Sequence, residues 1–131
     1  MPDTCVGEPI PLCRSDALLE RGVAHVFDVL QWGAPVRAFA LRFDGQVVAY
    51  LNRCVHVPTE MDWQPGEFLD SDKRYIMCSI HGATYEPRSG VIVAGPCRHG
   101  RLTRVDVSER DGLVYWYPSR DIRPVFLESA A

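Results

Sequence analysis

Lysine is nearly absent from this 131-residue chain: thirteen of its fourteen basic residues are arginine, and the other is Lys73. With seventeen acids the formal net charge is −3, which lacks the strong positive bias of a nucleic-acid binder or of a protein held to an anionic membrane. No run comes near the roughly eighteen apolar residues that mark a membrane-spanning helix. The opening Met1-Pro2-Asp3-Thr4-Cys5 has neither the basic start nor the apolar core of a signal peptide, so the expectation is a cytoplasmic protein. Helical periodicity is also scarce. The one helix-like stretch is Ser15 to Gly22, at most two turns, with Ser15 as N-cap and Gly22 as the stop. Five cysteines form an odd set with no export signal, which argues against a disulfide framework and for metal binding or free thiols.

What is abundant is β-forming sequence. Hydrophobic residues make up 47% of the chain, enough for one domain with a real core, so disorder is not expected. Fifteen valines, with Tyr, Phe and Trp, fall in short runs divided by Gly, Pro and Asp. Val23 to Leu30 reads as a strand and Trp32-Gly33-Ala34-Pro35 as a turn. Phe39, Leu41 and Phe43 alternate with Ala38, Ala40 and Arg42, then Asp44-Gly45 precedes Gln46 to Leu51: a hairpin. A second hairpin runs through Val105 and Val107, turns at Arg110-Asp111-Gly112 and returns along Leu113 to Tyr117. Between the hairpins lies a segment of different character, rich in Cys, His and the turn pairs Pro65-Gly66, Ser89-Gly90 and Gly95-Pro96. The fold expected is all-β: a small antiparallel barrel or sandwich from residues 20–52 and 101–117, carrying a loop-built subdomain over 53–100. The whole is one domain over 1–131, with 1–19 and 118–131 as peripheral tails.

The chemistry concentrates in two short loops. Cys54-Val55-His56 follows one strand, and Cys78-Ser79-Ile80-His81 follows the apolar run Tyr75-Ile76-Met77. A single Cys or His is commonly a packed thiol or a satisfied imidazole, but two matched Cys/His loops point to a metal. Two thiolates and two imidazoles also compose a tetrahedral zinc site. Zinc knuckles usually separate their two ligands by about two to four residues, whereas the first loop here separates Cys from His by one.

Cys-x-His followed by Cys-x-x-His resembles the Rieske iron-sulfur domain, over about residues 20–117. The resemblance extends to Cys78-Ser79-Ile80-His81-Gly82-Ala83-Thr84-Tyr85 as the second cluster loop, to the Ser89-Gly90 turn, and to Gly95-Pro96 as the proline loop that covers the cluster. It implies one 2Fe-2S cluster per chain, with Cys54 and Cys78 on the inner iron and His56 and His81 on the outer one. Gly82, Ala83, Tyr85 and Pro96 would surround the cluster. Two ferric ions, two sulfides and two thiolates sum to zero with neutral imidazoles, so adding an electron is easier than with four thiolates. This fits the range of roughly −150 to +300 mV for such centres.

High-potential members carry a Ser where this chain has Ala83, and a bridging disulfide where it has Thr59 and Ile80. Both departures imply the ferredoxin-like branch, with no bridge and a potential in the lower part of the range. The function implied is one-electron transfer from a reductase to a terminal acceptor such as an oxygenase, with redox proteins as partners and no substrate conversion by the chain itself. A small subunit of a reductase resembling the assimilatory nitrite type is one alternative, and a zinc-stabilised interaction module another. A Rieske oxygenase needs a mononuclear iron held by two His and a carboxylate, for which only His25 and His99 would remain.

Other features take milder readings. The 21 residues between His56 and Cys78 are a few more than that branch usually has, and the surplus holds five acids between Glu60 and Asp72. A solvated loop is preferred there over a docking patch. Cys5, Cys13 and Cys97 are expected to be free thiols. Arg98, Arg101 and Arg104 are read as a solvated strand edge rather than a basic contact, and His25 as structural. His99 reads as a surface residue, and Trp32, Trp63 and Trp116 as residues that bury area.

Overall fold

The computed structural model describes residues 9–53, 60–62, 66–78, 82–95 and 100–125. Three antiparallel sheets account for its strands. The first has the order β10-β2-β3-β4, built from β2 (His25–Gln31), β3 (Ala34–Phe43), β4 (Gln46–Leu51) and β10 (Ile122–Pro124). The second, β1-β9-β8, joins β1 (Ile10–Arg14), β8 (Asp106–Arg110) and β9 (Leu113–Tyr117). A third small sheet, β5-β6-β7, comprises β5 (Ile76–Met77), β6 (Thr84–Tyr85) and β7 (Ile92–Ala94).

The β3–β4 hairpin forms as its sequence dictates. Asp44 and Gly45 both take positive φ, 54° and 79°, the two-residue turn whose twist matches the strands it joins. Register follows, with Phe43 opposite Gln46 and Phe39 opposite Tyr50. The β8–β9 hairpin repeats this logic at Asp111-Gly112.

Alternation along β3 has a consequence beyond one core. Ala38 and Ala40 face the second sheet, in a cluster with Val29, Leu51, Val114 and Trp116. Phe39, Leu41 and Phe43 face the other way, in a cluster with Tyr50, Phe68, Ile76, Cys78, Tyr85 and Leu102. The first sheet is therefore a wall between two apolar cores, to which β3 presents alanines on one face and large side chains on the other. Phe39 stacks on Phe68 at 3.7 Å between ring centroids, which ties the stretch around Phe68 to the wall. The chain returning from that segment closes one side: the Leu51 N–H donates to Thr103 O (2.9 Å) and the Val105 N–H to Ala49 O (3.0 Å).

Several expectations need correction. The helix-like stretch is a single 3-10 turn over Ser15–Ala17, entered from Arg14 with no side-chain cap, because the buried Leu18 and the Arg42 side chain hold the chain extended beyond it. The stretches 1–19 and 118–131 are not wholly peripheral: Ile10–Arg14 pairs with β9 and Ile122–Pro124 with β2, each covering an otherwise open sheet edge. The segment 53–100 is not purely loops, since it contains the small third sheet. Trp32 does not bury area. It stands 74% exposed in a turn with Gly33, where Trp32 itself takes a positive φ of 52°, and β3 already begins at Ala34. Trp116 is buried, and Trp63 lies outside the described residues. His25 stacks on Phe27 within β2, a structural role as read. Cys13 is a free, half-buried thiol on β1 whose pKa burial pushes up, while Cys5, Cys97, Arg98 and His99 lie outside the described residues.

Candidate metal centre

Of the four proposed ligands, Cys78 falls within the described residues; Cys54, His56 and His81 do not, nor do Thr59, Ile80 and Pro96. Among the described residues, accordingly, no three metal-ligating side chains come together.

Cys78 leaves β5 fully buried, at the end of the larger apolar core. Its turn is closed by two backbone bonds: the Cys78 N–H donates to Ala83 O (2.8 Å) and the Gly82 N–H to Cys78 O (2.7 Å). The turn then enters β6, where Tyr85 is also fully buried in the cluster that contains Cys78. Ala83 is covered by Gly95, the residue before the proline loop. A Cβ on Gly95 would come within 2.7 Å of Ala83 Cα, and its φ of 123° is one that other residues rarely adopt. Three expected neighbours of the centre, Gly82, Ala83 and Tyr85, are thus gathered around Cys78.

The described residues on either side of 54–59 are tied together by a residue that the sequence pattern did not single out. Asn52, two residues before Cys54, is 3% exposed. Its Oδ1 accepts from the Met61 N–H (2.7 Å) and its Nδ2 donates to Asp62 (2.8 Å), so residues 52 and 61–62, which bracket 54–59, are held together. A polar residue after the apolar run Val47 to Leu51 was the available signal. Asp62 also accepts from the Gly66 N–H (3.0 Å), and Asp70 from the N–H groups of Arg74 and Tyr75 (2.9 and 3.4 Å). Two of the five acids between Glu60 and Asp72 are therefore spent on holding the loop's own backbone. The loop docks on the wall through Ala24 N–H to Gly66 O (2.8 Å) and on β5 through Met77 N–H to Phe68 O (2.8 Å).

Tyr50 ties the far end of the small sheet to the wall. Its hydroxyl donates to Pro87 O (2.7 Å), and its ring fills the space against Gly90, where a Cβ would lie 2.7 Å from the ring. Burial raises the Tyr50 pKa, so the phenol stays protonated as a donor.

A thiol brought fully into an apolar core on a tight turn, beneath a glycine that only a close backbone approach requires, suits a buried metal–sulfur bond. The profile of the Rieske [2Fe-2S] domain matches residues 8–114. The chain belongs to the Rieske 2Fe-2S domain family. Among solved structures, this Rieske chain is similar to the ferredoxin of carbazole 1,9a-dioxygenase from Nocardioides aromaticivorans IC177. The match has 24% identity and a TM-score of 0.67 over 86% of this chain and 100% of that one. It is also similar to the terminal oxygenase of carbazole 1,9a-dioxygenase from Novosphingobium sp. KA1, with 22% identity and a TM-score of 0.67, over 92% of this chain but 32% of that one. A chain of a complex of reduced oxygenase and oxidized ferredoxin in carbazole 1,9a-dioxygenase matches at 19% identity and a TM-score of 0.64, over 86% of this chain and 95% of that one. At these identities the likeness is one of fold. No curated protein matches the sequence. Among the described residues, no helix of this Rieske protein is long and apolar enough to cross a membrane.

Proposed function

We propose that this Rieske protein is a one-electron carrier in the cytoplasm, taking an electron from a reductase and passing it to a terminal acceptor such as an oxygenase, without converting a substrate itself. The observation that carries the reading is the pattern of coverage: the whole length of a dioxygenase ferredoxin, against about a third of a terminal oxygenase. Its partners are redox proteins, and neither nucleic acid nor membrane takes part.

In this reading Cys54 and Cys78 hold the inner iron, and His56 and His81 the outer one. When bound, the 2Fe-2S cluster supplies a reversible one-electron store within roughly −150 to +300 mV. The chain's own residues set where in that range it works. The apolar surroundings of Cys78 keep water from its sulfur, and the closed turn to Ala83 fixes where that sulfur sits. Ala83 offers no hydroxyl, so one donor that would stabilise the reduced state is missing, which places the potential low in the range. Asn52 ties residue 52 to residues 61–62, which lie on either side of the Cys54–His56 pair in the sequence.

Purified protein should be red-brown, with about two irons and two acid-labile sulfides per chain, and should give a Rieske-type paramagnetic signal on reduction. Colourless protein with one zinc would replace this reading with the interaction module. A large subunit that co-purifies in fixed stoichiometry would replace it with the small reductase subunit.

A further inference from the structure

Two arginines outside the candidate centre are held by backbone carbonyls. The Arg104 Nη2 donates to Arg88 O (3.1 Å) and the Arg101 Nη2 to Ser89 O (3.5 Å), so both guanidinium groups are drawn to adjacent carbonyls of one turn. Among the described residues neither has an acidic partner within salt-bridge distance, whereas the nearby Arg88 has two, Asp44 and Glu86. Glu86 itself is engaged, accepting from the backbone N–H groups of Arg88 and Ser89 and from the Arg88 side chain. Arg88, Ser89, Leu102, Thr103 and the two arginines line an open groove of about 420 Å³, with no acid among the described residues that line it. Like charges gathered in this way repel one another, and in a chain of net charge −3 the overall composition does not account for them.

The groove's place in the fold matters as much as its charge. β6 separates the turn Cys78 to Ala83 from the turn at 86–91, and β7 returns from the second turn to Gly95 beside the first. The groove therefore lies at the end of the small sheet away from Cys78. A segment seated in it would leave the cluster end uncovered.

We infer that the groove formed by Arg101, Arg104 and the 87–90 turn is a docking surface for a carboxylate-rich segment of a redox partner. The inference deepens the electron-carrier reading and rests on it for the nature of the partner. The binding surface itself needs no redox activity. The two carbonyls pre-position the guanidinium groups, so less side-chain freedom is lost on binding, and the buried Leu102 beneath them keeps the floor rigid. Arginine suits this role because its planar fork pairs with carboxylates through two parallel bonds.

The test is fluorescence anisotropy of labelled octaglutamate with the intact, cluster-loaded protein at low ionic strength. Binding should be measurable and should weaken as salt is raised through physiological strength. R101Q/R104Q should bind at least fivefold more weakly with unchanged thermal unfolding, R101K/R104K should stay within threefold of the parent, and R110Q/R120Q should match it. Equal binding by R101Q/R104Q and the parent, or no binding by the parent, would overturn the docking surface. So would pyrophosphate binding that depends on Arg101 and Arg104 in the absence of octaglutamate binding, which would make the groove a small-anion site. Iron content and the paramagnetic signal, recorded on the same samples, report separately on the electron-carrier reading.

Discussion

Single side chains decide how well the candidate centre is held. Asn52 satisfies a buried backbone N–H and a carboxylate at once, so Asn52→Ala leaves Met61 N–H without that partner and should cost about 2 kcal/mol in denaturant unfolding. It should also speed the bleaching of the cluster colour, because residues 52 and 61–62 are no longer tied together. Gly95→Ala puts a methyl group against Ala83 backbone at a φ of 123°, and should lower iron content per chain even where the protein folds. Ala83→Ser restores a hydroxyl donor and should move the midpoint potential positive in a redox titration; a shift to negative values would contradict the account of why this centre sits low. At this scale the sequence was only partly legible. Cys78 stands out by its spacing to His81. Asn52 does not, because its role depends on Met61 and Asp62 arriving from the other side of a loop. Asp62 and Asp70 were legible as charge but not as loop acceptors, since composition carries no direction.

Strands and their turns were the most legible part. Asp44-Gly45 and Asp111-Gly112 each force a two-residue turn, and the flanking alternation then fixes register. The terminal strands were not legible: Ile10–Arg14 and Ile122–Pro124 are short and contain or border proline, and they are strands because open sheet edges accept them. Two experiments belong here. Phe39→Ala removes a ring stacked on Phe68 between the wall and the small sheet, and should cost about 3–5 kcal/mol in equilibrium unfolding. Arg42 joins β3 to the 15–18 turn and to β8, donating to Leu18 O (2.8 Å), Ser15 O (3.0 Å) and the Glu109 carboxylate (3.1 Å). Hydrogen bonds from Arg42 hold the Glu109 pKa below the usual carboxylate value, against the opposing effect of burial. A depressed folded value gives a contribution that is complete above the unfolded pKa of about 4.3 and is lost as pH falls through the folded one. Glu109→Gln should therefore cost about 1 kcal/mol at pH 7, and the difference from the parent should shrink below about pH 4.5; a difference constant with pH would contradict the linkage.

The whole molecule is a wall with two cores, one closed by the second sheet and the other by the small sheet that carries Cys78. Along the small sheet Cys78 lies at one end and the arginine groove at the other, an arrangement with no local signal because it arises from pairing over long sequence separations. The Rieske family was legible because its Cys/His motif is confined to two short stretches of sequence. The central claim is that two histidines and two cysteines share one cluster. Hyperfine spectroscopy of the reduced protein, grown with nitrogen-15 histidine, tests it most directly. Two strongly coupled histidine nitrogens should appear, one of them lost in His81→Cys, with the midpoint potential of that variant moving well to the negative. A reduced signal with no nitrogen coupling would contradict the claim.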